Sequence, residues 1–253
     1  MMNAELQERC RRAALRTVEW ITSHMTPDGG LGAGGDDLEG YYKAPYLMQL
    51  AGRPRAARRL LDAIATRFHQ PDGDFLSSQE QRTRNAVLAA YPAYMNGWIT
   101  MAAHKIGRFD LSYSAWRFLQ RFWSESPPGF TLQRRDEEGG GGLELLTCAH
   151  LGLVALYLGD LRRAQGAGHA LQRFLEIQPS PASRFYLRMT PQGEPQTSFG
   201  EETAGLHVIE AALPGQAWFF IGYPMAFLCR LHQATGDAAA LATAEGYGTF
   251  AQR

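Results

Sequence analysis

Little in this 253-residue chain points to a metal, a disulfide, a nucleotide or a polyanion. Its three cysteines, Cys10, Cys148 and Cys229, are odd in number, far apart and free of any C-x-x-C spacing. That suits reduced thiols in a cytoplasmic protein and offers no zinc site. Lys plus Arg and Asp plus Glu balance at 25 each, so no basic field exists to bind a phosphate backbone. The longest apolar stretch, 217–228, contains Gly222 and Pro224 and is too short to span a bilayer. The polar start, residues 1–12, has no apolar stretch before a small-residue cleavage site, so no secretory signal is expected. Glycine-rich runs at 29–35 and 139–142 lack a Gly-Lys-Ser/Thr ending and follow no strand, which makes them links rather than phosphate loops. No metal, cofactor, nucleic acid or membrane is expected as a partner; a small molecule is.

What is present is a helical hairpin written four times. An apolar, aromatic-rich helix ends at Gly52, Gly107, Gly159 and Gly236, at intervals of 55, 52 and 77 residues, and an Ala/Arg-rich amphipathic helix follows each break. Glycine supplies the left-handed backbone that stops a helix, and Pro54, Asp110, Asp160 and Asp237 are suited to starting the next. The pattern predicts inner helices near 38–51, 90–106, 143–158 and 216–235. Outer helices are predicted near 4–24, 54–69, 110–124, 161–177 and 238–252, about nine in all within a single domain, 1–253. On the first outer helix Leu6, Cys10, Ala13, Ala14, Thr17, Val18 and Ile21 form one apolar stripe. Outer helices run into Pro/Gly turns, Pro27-Asp28-Gly29, Pro71-Asp72-Gly73 and Pro127-Pro128-Gly129.

The long last interval holds an insertion. Phe185, Leu187 and Met189 alternate with Tyr186, Arg188 and Thr190 before a Pro-Gln-Gly-Glu turn, predicting a small β-hairpin near 184–199 that shapes a cavity mouth.

These tandem inner/outer pairs and their linkers resemble the α/α toroids, the superfamily of terpenoid cyclases, protein prenyltransferase β-subunits and six-hairpin sugar enzymes. Residues 57–75 and Trp116-Arg-Phe-Leu-Gln-Arg-Phe-Trp123 look like degenerate copies of the aromatic/Gln/Gly repeat of triterpene cyclases. The resemblance implies an all-α toroid whose inner helices face a pocket lined by their N-terminal ends. A closed toroid of this kind has six pairs, whereas the chain carries four plus a leading outer helix. The barrel is therefore expected to be open, or covered by a partner chain or a second copy, or the sequence to stop before the native C-terminus.

Counting back from each glycine registers the copies. Nine residues before it stand Lys43, Trp98, His150 and Phe227; eleven before stand Tyr41, Asn96, Cys148 and Met225; thirteen before stand Glu39, Tyr94, Leu146 and Tyr223. The densest titratable cluster is Asp36-Asp37, with Glu39, Tyr41, Tyr42 and Lys43 behind it. Asp37 is either a helix cap or a general acid with a raised pKa. Glu201-Glu202, beside the insertion, offers a second acidic pair, and Glu202 is the base to set against Asp37. His150 is a core histidine or a proton shuttle. Cys148 as nucleophile lacks a local activating signature, and His207 is a further residue at the mouth.

Tyr42, Tyr94, Trp98, Trp218 and Tyr223 are the expected pocket wall, where ring faces stabilise a developing cation by roughly 0.5–2 kcal/mol each. The reading is a metal-independent lyase, isomerase or cyclase using Asp37 as acid and His150 or Glu202 as base on an apolar terpenoid, polyene or polyketide. Two alternatives stand beside it: a carbohydrate-active α/α-barrel epimerase or hydrolase, and a non-catalytic helical-repeat scaffold.

Overall fold

A computed structural model describes residues 4–32, 37–76, 89–136 and 141–253. Among them are nine α-helices: α1 (Ala4–His24), α2 (Ala44–Leu50), α3 (Pro54–Phe68), α4 (Pro92–Ile106), α5 (Phe109–Leu119), α6 (Leu145–Leu158), α7 (Leu161–Glu176), α8 (Phe219–Thr235) and α9 (Ala238–Ala251). Short strands accompany them: β1 (Trp123–Glu125), β2 (Pro128–Phe130), β3 (Leu143–Glu144), β4 (Arg184–Tyr186), β5 (Arg188–Met189) and β6 (Val208–Glu210). The class is the α/α toroid, built from paired helices with a small β insertion.

The four predicted breaks are real. Gly52, Gly107, Gly159 and Gly236 have φ of +70°, +80°, +78° and +74°, the left-handed conformation that ends a helix. Asp160 and Asp237 then cap α7 and α9 by accepting from Arg163 N and Ala239 N. In α3, Ala57, Leu60, Leu61, Ile64 and Phe68 recur at helical spacing and are buried, while Arg55, Arg58 and Arg59 face water. Inner helix α6 is buried continuously from Leu145 to Gly152, as an element enclosed on all sides must be.

The chain divides into two compact units. The first, Met1–Ala89 with Met95–Phe118, includes α1, α2, α3 and α5, and its turn glycine Gly73 lies so close to Ser114 of α5 that a Cβ would overlap the Ser114 carbonyl. On α1 only Val18 and Ile21 of the expected stripe are buried, and Leu6 is exposed, because no described element covers that end.

The second unit, Ala90–Tyr94 with Leu119–Arg253, contains α6 to α9 and all six strands. Helix α6 packs on α7 and α8, and α8 on α9. Gly152 permits the close approach: a Cβ there would stand 2.7 Å from Phe227 and 2.9 Å from Ala167. The insertion turns through Thr190–Glu194, with Met189 bridged to Pro195, while its strands recruit partners outside it. β4 pairs with β6 and β5 with β3, all antiparallel. The expected Pro/Gly turn at Ser126-Pro127 joins β1 to β2 as a hairpin.

Candidate active site

The polar residues eleven before each break have a common structural task. Tyr41 Oη accepts from Leu31 N at 2.9 Å, Asn96 Oδ1 from Phe75 N at 2.9 Å, and Cys148 Sγ from Phe130 N at 3.3 Å. Each of these three residues thus holds the chain just past a Pro/Gly turn, and satisfies an amide that burial would otherwise leave unpaired. Asn96 also donates to the buried Asp74 carboxylate at 2.9 Å. Cys148 further donates to Phe130 O at 3.2 Å, and burial pushes its thiol pKa far up. That is the opposite of an activated nucleophile.

Three of the expected residues meet within the second unit: Tyr94 and Tyr223, thirteen before their breaks, and His150, nine before its own. The hydroxyls of Tyr94 and Tyr223 lie 2.7 Å apart. The ring of His150 sits 5.0 Å from that of Tyr94 and 6.0 Å edge-on from that of Tyr223. His150 is buried, and its Nε2 lies 3.0 Å from the Tyr94 carbonyl oxygen. A carbonyl only accepts, so Nε2 carries a hydrogen, and when the ring is neutral its lone pair lies on Nδ1.

Beside this trio is a polar cluster that sequence reading passed over. Glu144 is fully buried at the head of α6 and caps it, accepting from Leu146 N at 2.9 Å, Thr147 N at 2.6 Å and Thr147 Oγ1 at 2.7 Å. Tyr91 Oη reaches it at 3.5 Å. Burial raises the Glu144 pKa, opposed by these hydrogen bonds and by the charge of Arg188. Arg188 stands opposite Glu144 across the β3–β5 ladder.

His207 is buried and stacked on Phe199 at 4.9 Å. Its pKa is pushed down to about 4, by burial first and then by Arg188. The legible signal was Glu144-Leu-Leu-Thr147 ahead of an apolar run, a carboxylate placed to cap its own helix. The pairing of Glu144 with Arg188 is 44 residues distant in the chain and carries no local signature.

The other expected residues are placed differently. Asp37 caps the short 3-10 turn Leu38–Gly40, accepting from Glu39 N at 3.1 Å; Asp36 lies outside the described residues. In the same first unit Lys43 Nζ lies 5.2 Å from the Tyr42 ring and 5.6 Å from the Trp98 ring, and Tyr46 meets Trp98 edge-on at 5.2 Å. In the second unit Trp218 packs on Phe250 at 5.8 Å. Glu202, in the 3-10 segment Glu201–Leu206, is exposed with its carboxylate folded back over Gly200. No helix among the described residues is long and apolar enough to cross a membrane.

No family model matches this chain, and no curated protein matches it. Solved structures do. An inactive double-aspartate variant of the alpha-1,6-mannanase GH76A of Salegentibacter sp. HEL1_6, in complex with alpha-1,6-mannotetrose, is similar over 94% of this chain and 69% of its own, with TM-score 0.60 and 14% identity. A D-mannose isomerase is similar over 95% and 70%, with TM-score 0.61 and 11% identity. A UGL variant with dGlcA-Glc-Rha-Glc is similar over 87% and 58%, with TM-score 0.52 and 13% identity.

At such identities the likeness establishes the α/α-toroid fold. It also corrects the expectation of a terpenoid-type cyclase acting on an apolar molecule, since these structures are of sugar-active proteins.

Proposed function

We propose that this protein is a carbohydrate-active enzyme of the isomerase or epimerase kind, with Tyr94, His150 and Tyr223 as its acid/base group. The observation that carries the reading is the hydroxyl pair of Tyr94 and Tyr223, 2.7 Å apart and backed by the His150 ring. The sugar-active names of the structural neighbours, one of them an isomerase, support it.

In aldose–ketose interconversion a proton leaves the carbon beside the carbonyl while negative charge grows on the carbonyl oxygen. On this reading one phenol of the pair donates to that oxygen and the other supports it through their shared hydrogen bond. His150, held by its Nε2–H, offers the Nδ1 lone pair as the proton acceptor.

The test is incubation with D-mannose, D-glucose and D-fructose in D2O, read by NMR as deuterium entering C2 or as interconversion. His150→Asn is expected to slow exchange by about 10²-fold or more, and Tyr223→Phe by about tenfold. Failure of the unaltered protein to exchange or interconvert any of these sugars, under conditions where it is folded, defeats the reading.

One observation favours hydrolysis as a second reading. The mannanase variant is inactive through replacement of two consecutive aspartates, and this chain carries Asp36-Asp37 as well as Glu201-Glu202. On that reading Asp37→Asn or Glu202→Gln abolishes release of reducing sugar from alpha-1,6-manno-oligosaccharides, while His150→Asn leaves cleavage in place.

A further inference from the structure

Arg188 is only partly paired within the protein: its guanidinium donates to the Tyr91 side chain and feels the charge of Glu144. Its Nε is sealed from solvent and meets no acceptor among the described residues, and no carboxylate among them lies within 4.0 Å of the guanidinium. Glu144, its cross-strand neighbour, has its oxygens taken by Leu146 N, Thr147 N, Thr147 Oγ1 and Tyr91 Oη. The imidazole of His207 is in the same condition: the residue is 6% exposed, and its buried Nδ1 has no partner.

The two are tied together through the backbone, where Leu187 N donates to His207 O at 2.8 Å, one residue before Arg188. The His207 ring is fixed by its stack on Phe199, whose other neighbour, Tyr186, lies 6.4 Å away. Buried donors without acceptors cost free energy, and a guanidinium costs more than an amide. Such groups are retained where a ligand completes them, and the oxygen fork of a carboxylate or phosphate matches a guanidinium edge.

We infer that Arg188 and His207 form an anion-recognising subsite, and that the substrate is an acidic sugar bearing a carboxylate or phosphate group. Arg188 donates to the anionic oxygens. The neutral His207 ring supplies a further N–H, and the capped Glu144 holds the strand pair that presents Arg188. The inference rests on the proposed sugar chemistry for the identity of the ligand's remainder, and on Arg188 and His207 alone for its charged group.

Calorimetric titration of the full chain with D-mannose, D-glucuronate, D-mannose 6-phosphate and inorganic phosphate tests it. At least one acidic sugar is expected to bind tenfold or more tightly than D-mannose, and to weaken as salt is added. The uronate and phosphate arms identify the anion. Arg188→Gln is expected to lower the acidic-to-neutral affinity ratio tenfold or more. Arg188→Lys, which keeps the charge and loses the fork, should fall between and serves if the glutamine variant does not fold.

Equal affinity for D-mannose and both acidic sugars overturns the inference, as does a ratio unchanged in both Arg188 variants. Arg188-dependent binding of inorganic phosphate with no binding of any sugar would uphold the subsite and defeat the sugar reading. Absence of binding by phosphate and by both acidic sugars would defeat the subsite whatever D-mannose does.

Discussion

Asn96 in the first unit and Cys148 in the second occupy the same place in successive repeats and do the same work with different atoms. Asn96 uses an amide to hold Phe75 N and the Asp74 carboxylate. Cys148 uses a thiol to hold both N and O of Phe130. A polar residue on an inner helix is therefore not by itself a catalytic residue. This register exists to pin the returning loop, and the side chain is chosen by what the loop presents: an amide plus a carboxylate in one unit, an amide plus a carbonyl in the other. Outside this clamping register, Tyr94, His150 and Tyr223 meet one another, and Arg188 Nε and His207 Nδ1 are buried without an acceptor or donor among the described residues.

Breaking the stronger clamp should have the largest effect. Asn96→Ala removes the acceptor of a buried amide and a donor to a buried carboxylate, and is expected to cost about 3 kcal/mol in a denaturant titration. Next in size is a difference in acid response centred on the second unit. His207 titrates near 4 when folded and near 6.5 when unfolded, so the unfolded chain takes up the proton first. Its contribution is intact above pH 6.5 and lost as pH falls through the window from 6.5 to 4, on the order of 2 kcal/mol after allowing for its polar surroundings. Melting temperatures recorded across that window should fall less steeply in His207→Asn than in the unaltered protein.

Cys148→Ala leaves the Phe130 amide and carbonyl unpaired and opens a small void, and should cost roughly 1.5 kcal/mol. The smallest effect sharpens the comparison. Cys148→Ser keeps one donor and one acceptor at the clamp and should cost about 0.5 kcal/mol by the same titration, the signature of a hydrogen-bonding rather than a reactive role. A thiol reagent should agree, labelling exposed Cys10 in the folded protein and Cys148 only on unfolding.

Much of the architecture was legible because it is written locally. The four glycine breaks, the stripe on α3 and the alternation at 185–189 depend on residues three or four positions apart. The helix starts at Asp160 and Asp237 are equally local. The first inner helix was less legible: 38–51 reads as one helix, but the chain forms a 3-10 turn, Leu38–Gly40, and then α2 from Ala44, with Pro45 in its first turn. Strands β1, β2, β3 and β6 were missed because each is two or three residues long, below the span over which alternation can register. Within the candidate site, Tyr94, His150 and Tyr223 were found by counting back from the breaks. Arg188 was seen only as one member of a β alternation.

By itself the sequence determined the four helix breaks and most of the apolar faces, since caps, left-handed glycines and a 3.6-residue period act over a single turn. It also settled the repeat, because the same local instructions recur. Tertiary structure alone decided which polar residues meet. Glu144 meets Arg188 and Tyr94 meets Tyr223 only when helices and strands far apart in the chain are packed together. Hydrogen-bond satisfaction and burial are properties of that packing, and no spacing along the chain encodes them.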